Sequence, residues 1–321
     1  MEEQIEQEQE IETKNGPTQY DKMIGRHSAA IIPIFARTNY QNYQYPECMF
    51  LVKQRTTALE KALVQATRMG VDSIWLVCPP KMLRILRRKI PDFVIDDVAT
   101  EASLLQTIRR VPIMLVPMQD RYAGIYDSVA WSTIYGATIA RKSTQMLSSF
   151  LVPHNYLFMS PFCILSDEEI EKFRRLIKRK SSFLMSYKGK TMLDGELLPF
   201  SFTYDDIKAC KKFIKEDMVK VNAVLKKEHA DYYFKKLTLD YVFKNINMEN
   251  RVVDDVKSYH RTDNWIGYCE YLNSPLAKES TFLNSRLRMK WIKANIDPPK
   301  KFGYILKEKE TEEFLPEIDI A

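Results

Sequence analysis

Apolar residues fall into two patterns along this chain. Short unbroken runs of branched and aromatic side chains alternate with stretches where apolar positions recur every third or fourth residue. The first pattern fits strands buried on both faces, and the second fits helices with one covered face. Residues 28–35, 72–78, 111–118 and 156–160 read as buried strands. Between them, residues 56–69 read as a helix ended by Gly70, and residues 81–89 as a basic helix opened by Pro79-Pro80. Residues 101–110 read as a third helix, and about 125–146 as a long one with Val129, Ile134 and Ile139 on or near one face. This alternation predicts an α/β fold: a Rossmann-like, mostly parallel sheet covered by helices on both faces. Residues 29–35, 72–78, 111–118 and 155–160 are expected side by side.

The pattern changes after residue 165. Ser166 caps a helix to about Lys180, with Asp167, Glu168 and Glu169 in its first turn. The stretches 181–191 and 197–203, separated by Asp194-Gly195, read as an antiparallel hairpin. A Lys-rich helix over 204–227, a helix over 237–246, a strand over 251–259 and a helix over 264–272 follow. The expected organisation is an acidic tail at 1–20, an α/β domain at 21–165, a smaller α+β region at 166–300 packed on it, and an acidic tail at 301–321.

Charge sharpens this division. Residues 1–14 hold six Glu against one Lys, and 306–321 hold five Glu and one Asp against two Lys, while the whole chain is +6. The body is therefore strongly basic and suits an anionic partner: a nucleotide, a nucleic acid or an acidic protein. No stretch approaches the roughly 18 consecutive apolar residues of a membrane span. The N-terminus lacks the basic and apolar regions of a secretion signal, so a cytoplasmic location and no membrane partner are expected. Five scattered cysteines form no C-x-x-C pair, which argues against a zinc site or disulfide framework. Cys78 and Cys163 read as small buried hydrophobes.

Order and spacing over residues 28–165 resemble the sugar-nucleotide nucleotidyltransferases, or nucleotide-sugar pyrophosphorylases. Arg37 follows the first strand and Pro46 lies nine positions later, before the apolar run Cys48–Val52. The next helix ends at Gly70-Val71-Asp72 ahead of a second strand. Further on, Gln119 closes a strand, and Gly124 with Asp127 opens a helix. The resemblance implies that Gln119 contacts a base and that the backbone at Gly124 approaches a nucleoside closely. Arg37, Gln119, Gly124 and Asp127 are the nucleotide-binding residues it implies, and magnesium is the cofactor.

The sequence departs from that family where the chemistry sits. Nucleotidyl transfer relies on positioning and charge neutralisation around phosphates. Ile32-Pro33-Ile34-Phe35 replaces the glycine turn, Glu47 replaces a lysine, and Pro161 falls on or near the place of a metal-binding aspartate. At a second metal position His260 or Arg261 stands, with Asp263 the nearest carboxylate. The leading expectation is a divergent protein of this type, a pseudoenzyme, that binds a nucleotide or nucleotide-sugar; if active, it is a nucleotidyltransferase or a related glycosyltransferase. The alternative is a non-catalytic structural or interaction protein that docks a partner through its basic body. The Arg174–Lys180 cluster reads as a solvated helix end or a phosphate-backbone contact. The pairs Asp96-Asp97 and Asp254-Asp255 read as solvated, and the Tyr40–Tyr45 loop as a stacking surface or a cover for the sheet edge.

Overall fold

The computed structural model describes residues 27–34, 47–53, 56–103, 107–118, 129–147, 151–180, 182–224 and 237–279. Its centre is a six-stranded sheet. In chain order, β1 (Ser28–Pro33) leads through the short pair β2 (Leu51–Lys53) and β3 (Thr56–Thr57) to helix α1 (Ala58–Arg68) and strand β4 (Ser73–Cys78). Helix α2 (Leu83–Lys89), β5 (Phe93–Ile95), α3 (Asp97–Ala102), β6 (Arg110–Pro117), α4 (Val129–Leu147) and β7 (Asn155–Phe158) follow. The remainder supplies β8 (Cys163–Leu165), α5 (Asp167–Arg179), β9 (Leu184–Ser186), β10 (Phe200–Thr203), α6 (Tyr204–Val224) and α7 (Leu239–Lys244). It ends with β11 (Val252–Asp255), β12 (Tyr259–Arg261), α8 (Trp265–Asn273) and α9 (Pro275–Glu279).

The sheet order is β10-β7-β1-β4-β6-β5. Strands β7, β1, β4 and β6 are parallel, as their apolar runs predict, and β5 and β10 are antiparallel at the two edges. Side chains alternate between two cores. Ala30, Ile32, Ile74, Leu76 and Cys78 face α1, α2 and α5, whereas Ala29, Ile31, Trp75, Val77 and Phe158 face α4, α6 and α7. The placement follows from handedness. The path β1→β4→β6 steps one way across the sheet and β6→β7 steps back, so right-handed crossovers put their helices on opposite faces.

Helix α4 lies close on the sheet because its contact face is small. A Cβ added at Gly136 would stand 2.4 Å from Val77 Cγ2 and 2.9 Å from Ile31 Cγ2. Ile134 is buried as expected, but small residues, Ala130, Ser132, Thr133, Gly136, Ala137 and Ala140, make up most of the covered face, and Val129 and Ile139 are only partly buried. Helix boundaries set by caps agree with the sequence. Ser166 Oγ accepts from Glu169 N, Asn264 accepts from Gly267 N, and Gly70 follows α1 at φ +89°.

Three expectations need correction. The helix expected at 101–110 lies at Asp97–Ala102, because Asp96 caps it by accepting from Ala99 N. Residues 107–109 lead into β6 instead, with Arg109 drawn to Asp96 and Asp72. The hairpin of 181–191 with 197–203 is reduced to one bridge, Phe183 to Ser201. Strand β10 joins the main sheet beside β7, where Phe200 stacks on Phe158 at 5.1 Å and Phe202 on Tyr156 at 5.7 Å. Burying those rings is worth more than a local hairpin that leaves them in water. The tight turn falls within the first segment: Lys188 and Gly189 both have positive φ, and Tyr187 pairs with Lys190. Finally, the strand expected at 251–259 is two strands, β11 pairing with β9 and β12 with β8.

Candidate functional site

Open α/β sheets bind ligands outside the carboxyl ends of their strands, where connections leave in opposite directions. Here that point lies between β1 and β7. Ile34 N donates to Val77 O at 2.7 Å, Met118 N to Cys78 O at 2.9 Å, and Met159 N to Ile31 O at 3.1 Å. These bonds bring the exits of β1, β4, β6 and β7 into one line. The side chains at this line, Ile34, Cys78, Met118 and Met159, are all buried and apolar. Burial pushes the Cys78 thiol up to about 12, which rules it out as a nucleophile at neutral pH. None of these four side chains offers a charged or strongly polar group to a ligand.

The four residues implied for nucleotide binding, Arg37, Gln119, Gly124 and Asp127, lie outside the described residues. So does the Tyr40–Tyr45 loop. Glu47 opens a single 3-10 turn, Glu47–Met49, directly after the first loop.

At the exit of β7 the chain turns through Ser160-Pro161, where Ser160 Oγ accepts from Phe162 N at 3.2 Å. No carboxylate stands in this turn. The next strand, β8, is held by a side chain that imitates a strand. The buried amide of Gln65 donates to Cys163 O and accepts from Leu165 N, both at 2.8 Å. On the other side β8 pairs with β12, which sets Arg261 opposite Cys163.

Arg261 closes this wall. Its Nε and Nη2 donate to the two oxygens of Asp263 at 3.0 and 2.8 Å, and Nη1 donates to Gly195 O at 3.1 Å. The paired Asp263, aided by Glu196, raises the Arg261 pKa further. Asp263, the carboxylate expected nearest a second metal position, is therefore neutralised by a two-point ion pair. His260 is half-buried, and burial lowers its pKa. Tyr259 accepts from Leu197 N at 2.9 Å, and burial raises its phenol well above the ordinary range. Among the described residues no group of three or more His, Cys, Asp or Glu could hold a metal ion. The described part of the site does not fit magnesium.

The packing of α8 on this same wall was not foreseen in detail. Tyr268 on α8 donates to Leu51 O at 2.6 Å, and Tyr271 packs with Val52, Ala58 and Ile164. The segment after Pro46 is thus tied to the C-terminal helices. The only sequence signal was the aromatic content of 264–272.

Two further expectations change at the amino edge of the sheet. Asp96 is fully buried rather than solvated. It accepts from Ala99 N, from Arg109 Nη1 at 2.8 Å and from both terminal nitrogens of Arg174 at 3.2 Å. Arg109 also meets Asp72 at 2.8 Å. Arg174 is accordingly a buried structural cation and not part of a solvated basic helix end. Asp254 and Asp255 do lie exposed, as expected, with Lys172 holding Asp254 below its usual carboxylate range.

Among the described residues, no helix is long and apolar enough to cross a membrane. No family model and no curated protein matches the sequence. Solved structures do show likeness. Rv0371c from Mycobacterium tuberculosis H37Rv has a TM-score of 0.40 and 13% identity, over 78% of this chain and 98% of that one. A second structure of that protein is a manganese complex. A protein provisionally named a glucose-1-phosphate thymidylyltransferase, from Bacillus anthracis, has a TM-score of 0.48 and 8% identity over 79% and 96%. The nucleoside-diphosphate-sugar pyrophosphorylase of Vibrio cholerae RC9 has a TM-score of 0.44 and 9% identity over 76% and 100%. The reading of the site rests on the chain's own residues.

Proposed function

We propose that the chain binds a nucleotide or nucleotide-sugar in the crevice outside the carboxyl ends of β1, β4, β6 and β7, and that it turns such ligands over slowly or not at all. One observation supports this above the others: β1 and β6 end on the same line, two strand spacings apart, roughly 10 Å. Arg37 follows three residues after Ile34, and Gln119 directly after Met118. Both loops therefore start within reach of one nucleoside-sized ligand. In this reading Gln119 contacts the base, Gly124 lets the backbone approach, and Arg37 and Asp127 complete the polar contacts.

The non-catalytic form of this reading is favoured by two further facts. The turn after β7 carries Ser160-Pro161 where the resemblance calls for a carboxylate, and Asp263 is committed to Arg261. If magnesium takes part, Asp120 and Asp127 are the carboxylates left to hold it. A thermal-shift screen across nucleoside triphosphates and nucleotide-sugars tests the proposal. Ligand at 100 times Kd adds about 2.7 kcal/mol of apparent stability, and Gln119→Ala should abolish the shift. No shift with any nucleotide would sink the binding reading. Brisk pyrophosphate release from nucleoside triphosphates with sugar phosphates would sink its non-catalytic form.

A further inference from the structure

A second polar cluster lies at the other edge of the sheet, where α4 and α6 meet. Tyr204, Lys208 and Lys211 stand at i, i+4 and i+7 on α6 and so form one stripe. Arg141 and Lys142, near the end of α4, come against it. The Arg141 guanidinium lies 4.0 Å from the centre of the Tyr204 ring, and Lys208 Nζ lies 5.3 Å from it. Beneath them Tyr156, the second residue of β7, is fully buried. Its hydroxyl lies beside Arg141 but has no hydrogen-bond partner of proper geometry.

The charges in this cluster are not balanced. Lys208 has an exposed partner, Asp205, at 2.9 Å. Among the described residues, Arg141, Lys142 and Lys211 have no carboxylate within ion-pair distance. Arg141 and Lys211 are half-buried, so water screens them only in part. Burial, and then the nearby charge of Lys142, lower the Lys211 pKa. Like charges gathered at reduced dielectric repel one another, and no ion pair of Arg141, Lys142 or Lys211 within the described fold offsets the cost. An arginine stacked on a ring through its face keeps its edge N–H groups for another acceptor.

We propose that the α4–α6 junction is an anion site for a phosphate-bearing ligand, whose oxygens take the edge donors of Arg141 and the ammonium groups of Lys142 and Lys211, with Lys208 at the rim. A phosphate monoester or pyrophosphate group matches the three cations Arg141, Lys142 and Lys211, of which Arg141 is held in place by the Tyr204 ring. The site is separate from the strand-end crevice. Residues Asn155 and Tyr156 open β7, whereas the crevice lies past its other end.

Calorimetric titration of the full chain with inorganic pyrophosphate, without metal, tests this. Saturable binding should weaken about tenfold to a hundredfold in Lys142→Ala and in Arg141→Gln, and should persist in Arg37→Ala and Gln119→Ala. Lys142 is exposed, so its variant should keep the parent unfolding temperature even if Arg141→Gln does not. As a second readout, the pKa of Lys211, followed by NMR, should rise when pyrophosphate binds and rise in Lys142→Ala. The proposal is overturned if pyrophosphate does not saturate at millimolar concentration, or if only Arg37→Ala weakens it. It is equally overturned if single-stranded DNA binds through these residues while pyrophosphate does not.

Discussion

Arg109 and Arg174 on one face of the sheet, and Arg141, Lys142 and Lys211 on the other, are both groups of cations at the amino edge. The first group closes on Asp96 and Asp72, which take its N–H donors in full view of the core. In the second, Arg141 meets the Tyr204 ring and lies beside a hydroxyl with no hydrogen-bond partner. Equal density of basic residues in the sequence therefore hides opposite roles. A cation that finds its carboxylate in the same fold serves packing; one that finds none keeps its donors for something from outside.

The largest test of this contrast removes the counter-charge. Asp96→Ala leaves the buried Arg174 without a carboxylate and the partly exposed Arg109 with Asp72 alone, and should cost about 3–5 kcal/mol in urea unfolding. A loss under about 1 kcal/mol would mean that the first group is as open as the second. Next comes the support of the second group. Gly136→Val drives a methyl into Val77 and Ile31, shifts the helix that carries Arg141, and should cost about 1–3 kcal/mol. Pyrophosphate affinity should fall with it, which Asp96→Ala should not cause in the folded fraction.

The smaller tests act on charge alone. Lys142→Glu supplies the missing carboxylate and should stabilise the protein by about 0.2–1 kcal/mol at low salt, an effect that fades as salt rises. Lys211→Met should gain a few tenths of a kcal/mol at neutral pH. The sign follows from linkage. The folded pKa of Lys211 lies below its unfolded value, so its penalty is full below the folded value and is relieved as pH climbs through it. The advantage of Lys211→Met must therefore shrink toward the ordinary lysine range, and an advantage that grew with pH would contradict the repulsion.

Legibility from sequence followed the range of the forces involved. Three of the four parallel strands, β1, β4 and β7, were readable because a strand buried on both faces must be apolar at nearly every position, as at Ile31–Ile32 and Ile74–Val77; β6 carries the same apolar run but is only partly covered, with Arg110, Pro112 and Pro117 exposed. Helix ends at Ser166, Asn264 and Gly70 were readable because caps act within three residues. Partner choice was not. Nothing local says that Phe200 and Phe202 prefer the edge of a distant strand to a neighbouring hairpin. The sharing of Asp96 between two arginines, 13 and 78 residues away, is equally invisible in a Asp-Asp pair. At the candidate site, the departures at Ser160-Pro161 and near Asp263 were legible, but the grip of Arg261 on Asp263 was not.

The position of β10 also bears on how the chain is made. The sheet is finished by a strand from residues 200–203, tied to β7 and β1 through the polar thread Ser28 to Asn155 to Ser201. A nascent chain halted at residue 165 would hold β7 as a bare edge, with Tyr156 and Phe158 stripped of their stacking partners. Such an edge is a template for pairing with another copy. Productive folding on the ribosome therefore has to wait for some forty more residues, and the α/β half released alone should aggregate where the longer chain stays in solution.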